Sequence, residues 1–243
     1  MSEESWALHA SLPPTLTTAE ILEVNPPRND LHTVRSHTYR DWEFELPPGV
    51  FRPGETSRMI HDRVLDGRIP VAGRTYVAMG SGLGVEAVVA GIAGAARIYA
   101  LDVHPASVAA TEAHYRRFVG GTPPLHALVS DLFSAFPDKA QADVITFNPP
   151  AVALKTSEDP DVVRNVCVGA EITARFFDQV LAGDLLAPGG EIHLIVSNTA
   201  NLRDIIAHAI ESGFVPEIRE RRTWPDDDVQ TFLFRLRAKG EAA

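Results

Sequence analysis

Two groups of residues in this 243-residue chain have the types and spacing to do chemistry. The first is Gly80-Ser81-Gly82-Leu83-Gly84, which follows a short apolar run (TYVAM, 75–79) and precedes a helix-like run from Val85 to Gly94. Glycines permit a tight bend and let a ligand lie against bare backbone, and a helix starting there aims its free N–H groups at that ligand. Asp102 stands 18 residues past Gly84, at the end of the next apolar run (RIYAL, 97–101). A carboxylate at that point can accept hydrogen bonds from both ribose hydroxyls of a nucleoside. The purely structural alternative is a tight turn whose Asp102 caps the helix starting near Pro105, and one residue can do both. Val85 stands where a pyrophosphate-binding G-x-G-x-x-G loop has its third glycine, so the spacing fits a carboxylate-and-amine tail better. The second group is ITFNPPA, residues 145–151. Two prolines fix the backbone after Asn148 and remove two N–H groups, leaving carbonyl oxygens and one carboxamide to face a ligand. The alternative is a strand-ending turn, since all three residue types favour turns and Asn25-Pro26-Pro27 repeats the tripeptide.

These groups need a frame that brings them together. Short apolar runs at 75–79, 97–101, 125–129, 143–147 and 191–197 alternate with helical patterns, at 85–94, Pro105 to Phe118, Asp161 to Ala182 and Asn201 to Ser212. Strand-then-helix repetition predicts a doubly wound α/β domain with a mostly parallel sheet. Two further strands, FVPEIRERR and VQTFLFRLR, lack an intervening helix and predict an antiparallel hairpin, for seven strands in all. Ligands of such sheets sit at the carboxyl ends of the strands near the topological switch point, where both groups fall. Residues 1–70 have a different texture and form an N-terminal extension, with prolines throughout. A helix is expected near Thr18 to Glu23 with Thr17 or Thr18 as its cap, a strand over Thr38 to Leu46, and a helix from Ser57 to Leu65. Pro188-Gly189-Gly190 reads as a turn and Gly213 as the stop of the last helix.

Composition narrows the function classes. With 22 basic and 32 acidic residues the chain carries a formal charge of −10, which repels phosphate backbones and makes a nucleic-acid partner unexpected. The one cysteine, Cys167, cannot form an internal disulfide, and nine scattered histidines show no H-E-x-x-H or related metal spacing, so no metal is expected. No apolar run reaches the ~18 residues that span a bilayer, and MSEESWALHA has neither the basic nor the apolar region of a signal peptide. A cytoplasmic location is the resulting expectation.

From Arg74 to Ala243 the chain resembles the class I S-adenosylmethionine-dependent methyltransferases. The resemblance rests on the glycine bend, on Asp102 and on Ser130-Asp131-Leu132 after the third strand, in that order. It implies a Rossmann-like catalytic domain over 71–243 with S-adenosylmethionine as cofactor. Gly80, Ser81, Gly82 and Gly84 would pass its methionine part, Asp102 with Val103 would hold its ribose, and Asp131 with Leu132 would meet its adenine. ITFNPPA is similar to the N-P-P-Y motif of the branch that methylates planar nitrogens, including glutamine N5- and rRNA guanine N-methyltransferases. The resemblance makes Asn148 and Pro149 catalytic, with Asn148 also among the cofactor-binding residues and Pro150 and Ala151 beside the acceptor. It also makes PGVFRPGETSR (48–58) a loop closing over the site, offering Phe51, Thr56, Ser57 and Arg58 to the substrate, so that residues 1–70 would serve as a lid. Two positions depart from the family. Ala78 replaces an acid that would meet the cofactor's ammonium, for which Glu86 and the backbone are the candidate substitutes. Ala151 replaces an aromatic that would stack on the acceptor.

The resulting expectation is a methyltransferase acting on a nitrogen, or an adjacent ring carbon, of a small-molecule or peptide-like acceptor. Protein glutamine or an RNA base is the alternative within the fold, and a non-catalytic nucleoside-binding protein or a dinucleotide oxidoreductase the alternative outside it. His104 reads as a helix-start residue, His37 and His61 as candidate bases, and Arg219 to Arg222 as a solvated edge. Asp226 to Asp228 reads as an acidic hairpin turn that could also meet a cationic substrate. The oligomeric state is left open.

Overall fold

The computed structural model describes residues 3–26, 30–167, 169–224 and 228–240. Helices α1 (Glu3–Ser11) and α2 (Thr18–Val24), strands β1 (Arg35–Tyr39) and β2 (Trp42–Leu46) and helix α3 (Arg58–Leu65) form the N-terminal part. The larger part runs β3 (Thr75–Met79), α4 (Val85–Ile92), β4 (Arg97–Asp102), α5 (Pro105–Phe118), β5 (Leu125–Val129), β6 (Ala142–Phe147), α6 (Pro160–Val166) and α7 (Gly169–Ala182). It ends with β7 (Leu186–Ser197), α8 (Leu202–Glu211), β8 (Phe214–Thr223) and β9 (Gln230–Ala238).

The sheet has seven strands in the order β5-β4-β3-β6-β7-β9-β8. The first five are parallel, and β9 lies antiparallel between β7 and β8. The chain winds outward from β3 through β4 to β5, then returns to start the other half at β6. The switch point therefore lies between β3 and β6. Alternation along each strand divides the core. Val77, Met79, Tyr99, Leu101, Ile145 and Phe147 face Phe176 and Phe177 of α7 and Ile206 of α8. Tyr76, Ala78, Ile98, Ala100 and Val144 face the other way, onto Val88 and Val89 of α4. Tyr39, Phe44, Met59, Ile60 and Val64 join that second cluster, so the N-terminal hairpin and α3 share a core with the sheet.

Several elements differ from the sequence expectation. Thr38 to Leu46 is not one strand but the end of β1, a tight turn and the whole of β2. Arg40 adopts a left-handed φ of 53°, and Tyr39 pairs with Trp42 across the turn. The helix expected over Asp161 to Ala182 breaks at Cys167, whose extended backbone pairs with Val152 as a β-bridge. Pro188-Gly189-Gly190 lies within β7, where pairing with β6 jumps from Leu186 opposite Ala142 to Glu191 opposite Val144. Helix α1 had no sequence signal. Thr17 caps α2 in a reciprocal box with Glu20, and Gly213 ends α8 at a φ of 94°. Pro27, Asp226 and Asp227 lie outside the described residues, so neither the second Asn-Pro-Pro nor the acidic turn is fully visible. Among the described residues no helix is long and apolar enough to cross a membrane.

Candidate functional site

Strand register sets the geometry of the site. Met79 pairs with Leu101 on one side and with Phe147 on the other, so Gly80, Asp102 and Asn148 are each the next residue past one shared rung. Asp102 pairs in turn with Val129, which brings Ser130 to the same end. All four line a single cavity of about 1130 Å³. That exceeds the roughly 300–1,000 Å³ typical of a pocket for one small ligand, and leaves room for two ligands side by side.

Gly80 and Gly82 have φ of 65° and 50°, which side-chain-bearing residues rarely adopt. A Cβ at Gly80 would meet only the edge of the Phe147 ring at 3.6 Å, and one at Gly82 only the Gly80 carbonyl at 3.9 Å. The bend thus exposes backbone to the cavity. Gly84 has a different job from the one expected. It is not part of the cavity wall, and a Cβ there would lie 2.7 Å from Cα of Thr111, so this glycine lets α4 pack on α5. Ser81 is buried with its hydroxyl 3.2 Å from that of Thr111.

The Asp102 carboxylate accepts one hydrogen bond at each oxygen, both 2.8 Å long, from the backbone N–H of Gly82 and from that of His104. It therefore braces the glycine bend against the entry to α5 without capping that helix, contrary to the structural alternative, and keeps further lone pairs for a ligand. Burial raises its pKa, and those two N–H groups counter the shift only in part. His104 is the N-cap residue of α5, and burial lowers its pKa. Val103 is exposed at the cavity mouth. Asp131 accepts from Nη2 of Arg175 at 2.6 Å, and Leu132 lines the wall at a left-handed φ of 51°.

Asn148 is held by its amide nitrogen. Nδ2 donates to Oγ of Ser57 at 3.1 Å, which leaves Oδ1 without a partner among the described residues. The carbonyl of Pro149 is likewise unengaged among them. Pro150 and Ala151 continue the wall, and the turn is gripped from both sides. Thr199 donates to the Ala151 carbonyl at 2.5 Å, while a Cβ at Gly169 would come within 1.8 Å of the Pro150 carbonyl oxygen.

Phe51, Thr56 and Ser57 line the cavity from the N-terminal part, together with Asn25 and Pro26 at the end of α2. Arg58 does not. It stands over the Tyr39 ring at 6.0 Å and beside Glu55 at 3.4 Å. Ala78 is buried within β3, but Glu86 of α4 reaches the cavity, with Oε1 2.8 Å from Nε2 of His61. His37 is not among the lining residues, and burial lowers its pKa.

Other lining residues had no local sequence signal. Arg164 and Asn165 of α6 both donate to the Gly49 carbonyl, at 2.8 and 2.9 Å, tying the N-terminal loop across the cavity. Trp224 reaches the cavity from the end of β8 with its indole N–H fixed on Thr231 at 3.2 Å. His32, Asp159 and Asp161 form a group whose potential ligand atoms lie within 4.8 Å of one another. Each imidazole nitrogen already faces a carboxylate, at 2.6 and 3.5 Å, which is the arrangement of an imidazolium bridging two acids.

A nucleoside with an amino-acid tail fits these residues. Bare backbone lies where a tail would run, a carboxylate lies where a ribose would sit, and a second carboxylate follows the third parallel strand. No protein-family model matches the chain, and no curated protein matches its sequence. Solved structures do. Ribosomal protein L11 methylase from Lactobacillus delbrueckii subsp. bulgaricus has a TM-score of 0.57 at 18% identity, over 80% of this chain and 84% of its own. The T. thermophilus 16S rRNA N2 G1207 methyltransferase RsmC, in complex with AdoMet and guanosine, has 0.58 at 20%, over 88% of this chain. This chain spans 52% of the length of RsmC. The E. cuniculi Mtq2–Trm112 complex, responsible for methylation of the eRF1 translation termination factor, has 0.56 at 17%, over 79% of this chain and 99% of that one. At these identities the likeness establishes the fold: a Rossmann-like methyltransferase fold with an antiparallel C-terminal hairpin.

Proposed function

We propose that the chain is an S-adenosylmethionine-dependent methyltransferase that delivers its methyl group to a nitrogen held at Asn148. The observation that carries this reading is the register. The glycine bend, Asp102 and Asn148 leave adjacent strands at one level and line one cavity. When bound, S-adenosylmethionine supplies a methyl group on a positively charged sulfur, ready for displacement by a lone pair.

The chain's own residues then have separable tasks. Gly80 and Gly82 offer backbone to the amino-acid tail, Asp102 accepts from the ribose, and Asp131 has an oxygen not bonded to Arg175 for the adenine edge. Ser57 fixes the carboxamide of Asn148 so that Oδ1 faces the acceptor. Oδ1 and the Pro149 carbonyl can accept two N–H bonds from a planar nitrogen, drawing its lone pair out of conjugation. With the cofactor bound, Asn148 and the Pro149 carbonyl would hold that lone pair toward the methyl group for direct displacement, and the acceptor's proton would leave afterwards to solvent. Orientation is the main source of rate, because the nucleophile is neutral and needs little base help.

For the acceptor we propose a small molecule or a peptide-like group. Support comes from the cover supplied by residues 51–57 and α2, from Ala151 in place of a stacking aromatic, and from the net charge of −10. The similar structures named above act on rRNA, a ribosomal protein and a termination factor, which favours an acceptor carried on a macromolecule as the second reading. Transfer of labelled methyl from S-adenosylmethionine into separated small-molecule, protein and RNA pools decides between them. Label in the first pool, or in free peptides, is the expected result, and label confined to RNA removes our acceptor assignment. Asn148→Ala should lower turnover about a hundredfold while leaving S-adenosylhomocysteine affinity within about twofold, since it removes the contact to the acceptor and the hydrogen bond to Ser57. Calorimetry showing tight NAD(P) binding and none of S-adenosylhomocysteine would end the methyltransferase reading.

A further inference from the structure

The cofactor reading leaves one charge unanswered. S-adenosylmethionine carries an ammonium in its tail, and the strand position where an acid would meet it is Ala78, buried and apolar. We propose that Glu86 receives this ammonium and that His61 is the residue that positions it. The inference rests on the S-adenosylmethionine reading and adds a binding residue to it.

Glu86 is the second residue of α4, the helix that starts at the glycine bend, and it lines the same cavity as Gly80 and Gly82. Its side chain is 16% exposed, so its charge is largely withdrawn from water. Among the described residues no lysine or arginine lies within ion-pair distance of it. Its hydrogen-bond partner is His61, 1% exposed, with Nε2 2.8 Å from Oε1, and His37 also lies within its electrostatic reach. The other ring nitrogen, Nδ1, is buried with no partner. Donation through Nε2 to Glu86 leaves at Nδ1 a lone pair and no unsatisfied N–H, so the ring serves Glu86 as a hydrogen-bond donor. Glu86 is then a largely buried carboxylate, oriented at Oε1 and paired with no lysine or arginine among the described residues. Leaving it so is costly, and an ammonium ligand removes the cost. The N-terminus of α4 steadies the negative charge meanwhile and offers N–H groups to the tail's carboxylate beside it. A zwitterionic tail thus finds both complements within the first turn of one helix.

The test compares ligands as well as variants, by calorimetry on the full chain. The probes are S-adenosylhomocysteine, its analogue lacking the amino group, and 5′-methylthioadenosine, which lacks the whole tail. On wild type, removal of the amino group should weaken binding at least tenfold; equal binding overturns the proposal without any mutation. Glu86→Gln should weaken S-adenosylhomocysteine at least tenfold and leave 5′-methylthioadenosine unchanged. Unchanged S-adenosylhomocysteine affinity, or equal losses for both ligands, would overturn it. His61→Gln keeps a donor at the same reach and should retain affinity, whereas His61→Leu should lose it for S-adenosylhomocysteine alone. A wild-type chain that binds none of the three probes refutes the cofactor reading itself, which is a different outcome from tail-blind binding.

Discussion

Asn148 and Ser57 lie 91 positions apart in sequence, yet the amide Nδ2 of one donates to the hydroxyl of the other at 3.1 Å. Ser57 is the N-cap residue of α3 but its side chain makes no capping bond, so the hydroxyl is committed to Asn148. One turn later on the same helix, His61 holds Glu86. Helix α3 therefore touches both the Asn148 turn and the helix that follows the glycine bend. Ser57→Ala should cost about 1 kcal/mol of stability, one hydrogen bond's net worth, with no loss of capping. The amide of Asn148 would then be free to rotate. Under the proposed mechanism, turnover should fall about tenfold while S-adenosylhomocysteine binding is unchanged. Urea unfolding and single-turnover rates check the two halves separately.

Asp102 supplies a pH dependence. Burial raises its folded pKa above the unfolded value, so ionising it opposes folding, and this group's contribution to stability falls as pH rises from the ordinary carboxylate range through the raised value. Ligand binding runs the other way, because ribose hydroxyls donate to the ionised form. S-adenosylhomocysteine affinity should weaken as pH is lowered through the raised pKa, and Asp102→Asn should bind weakly with that dependence removed. Calorimetry from the ordinary carboxylate range upward reads the curve, and equal affinity of Asp102→Asn and wild type at neutral pH removes Asp102 from the site.

Much of this geometry was legible in the sequence because it depends on local pattern. Glycines after an apolar run, an acid at the end of the next one and Asn-Pro-Pro at the end of a fourth are all set by strand ends, and parallel pairing brings strand ends together without further information. The helix at Thr18 announced itself by its cap, and those at Pro105 and Asn201 by their helical pattern. What the sequence hid was tertiary. Gly84 and Gly82 look alike as letters, but only at Gly84 would a Cβ collide with Thr111. The break at Cys167 has no proline or glycine at the break itself; it follows from pairing with Val152 far upstream. Arg58 read as a substrate residue from its place in the loop, yet the turn into α3 sends it to Tyr39. Trp224 and Arg164 enter the cavity from elements whose own patterns say nothing of it.

Gly169 isolates the role of the Asn-Pro-Pro turn from that of its side chains. A Cβ there would stand 1.8 Å from the Pro150 carbonyl oxygen, so Gly169→Ala must displace backbone. A stability loss of about 1–3 kcal/mol is expected, as for other overpacked sites. If the turn presents the acceptor, methyl transfer should fall far more than cofactor affinity does. Gly121→Ala is the control, since nothing lies within 4 Å of its added Cβ and it should leave stability and turnover alone. Equal behaviour of the two variants in chemical denaturation would mean that the turn is not clamped where the structure has it.

His32 ties the N-terminal loop to α6 through Asp159, the N-cap of that helix, at 2.6 Å. The hydrogen bond and charge of Asp159 raise the pKa of His32, and the same contact lowers that of Asp159. The sign for the histidine is that of a base gaining a partner. Its contribution is complete below its unfolded value of about 6.5 and is lost as pH rises through the raised folded value. The carboxylate's contribution is lost only as pH falls through its own lowered value, so the tie is fully made between the two. Both groups are exposed enough that global stability should hardly move. The local effect should appear at the loop that crosses the cavity, where the Gly49 N–H bonds to the Leu31 carbonyl at 2.8 Å. Amide-exchange protection at Gly49 should drop as pH rises past neutrality, with intrinsic exchange corrected for. His32→Ala should show the lowered protection at every pH, and a variant as protected as wild type would show that Arg164 and Asn165 hold the loop unaided.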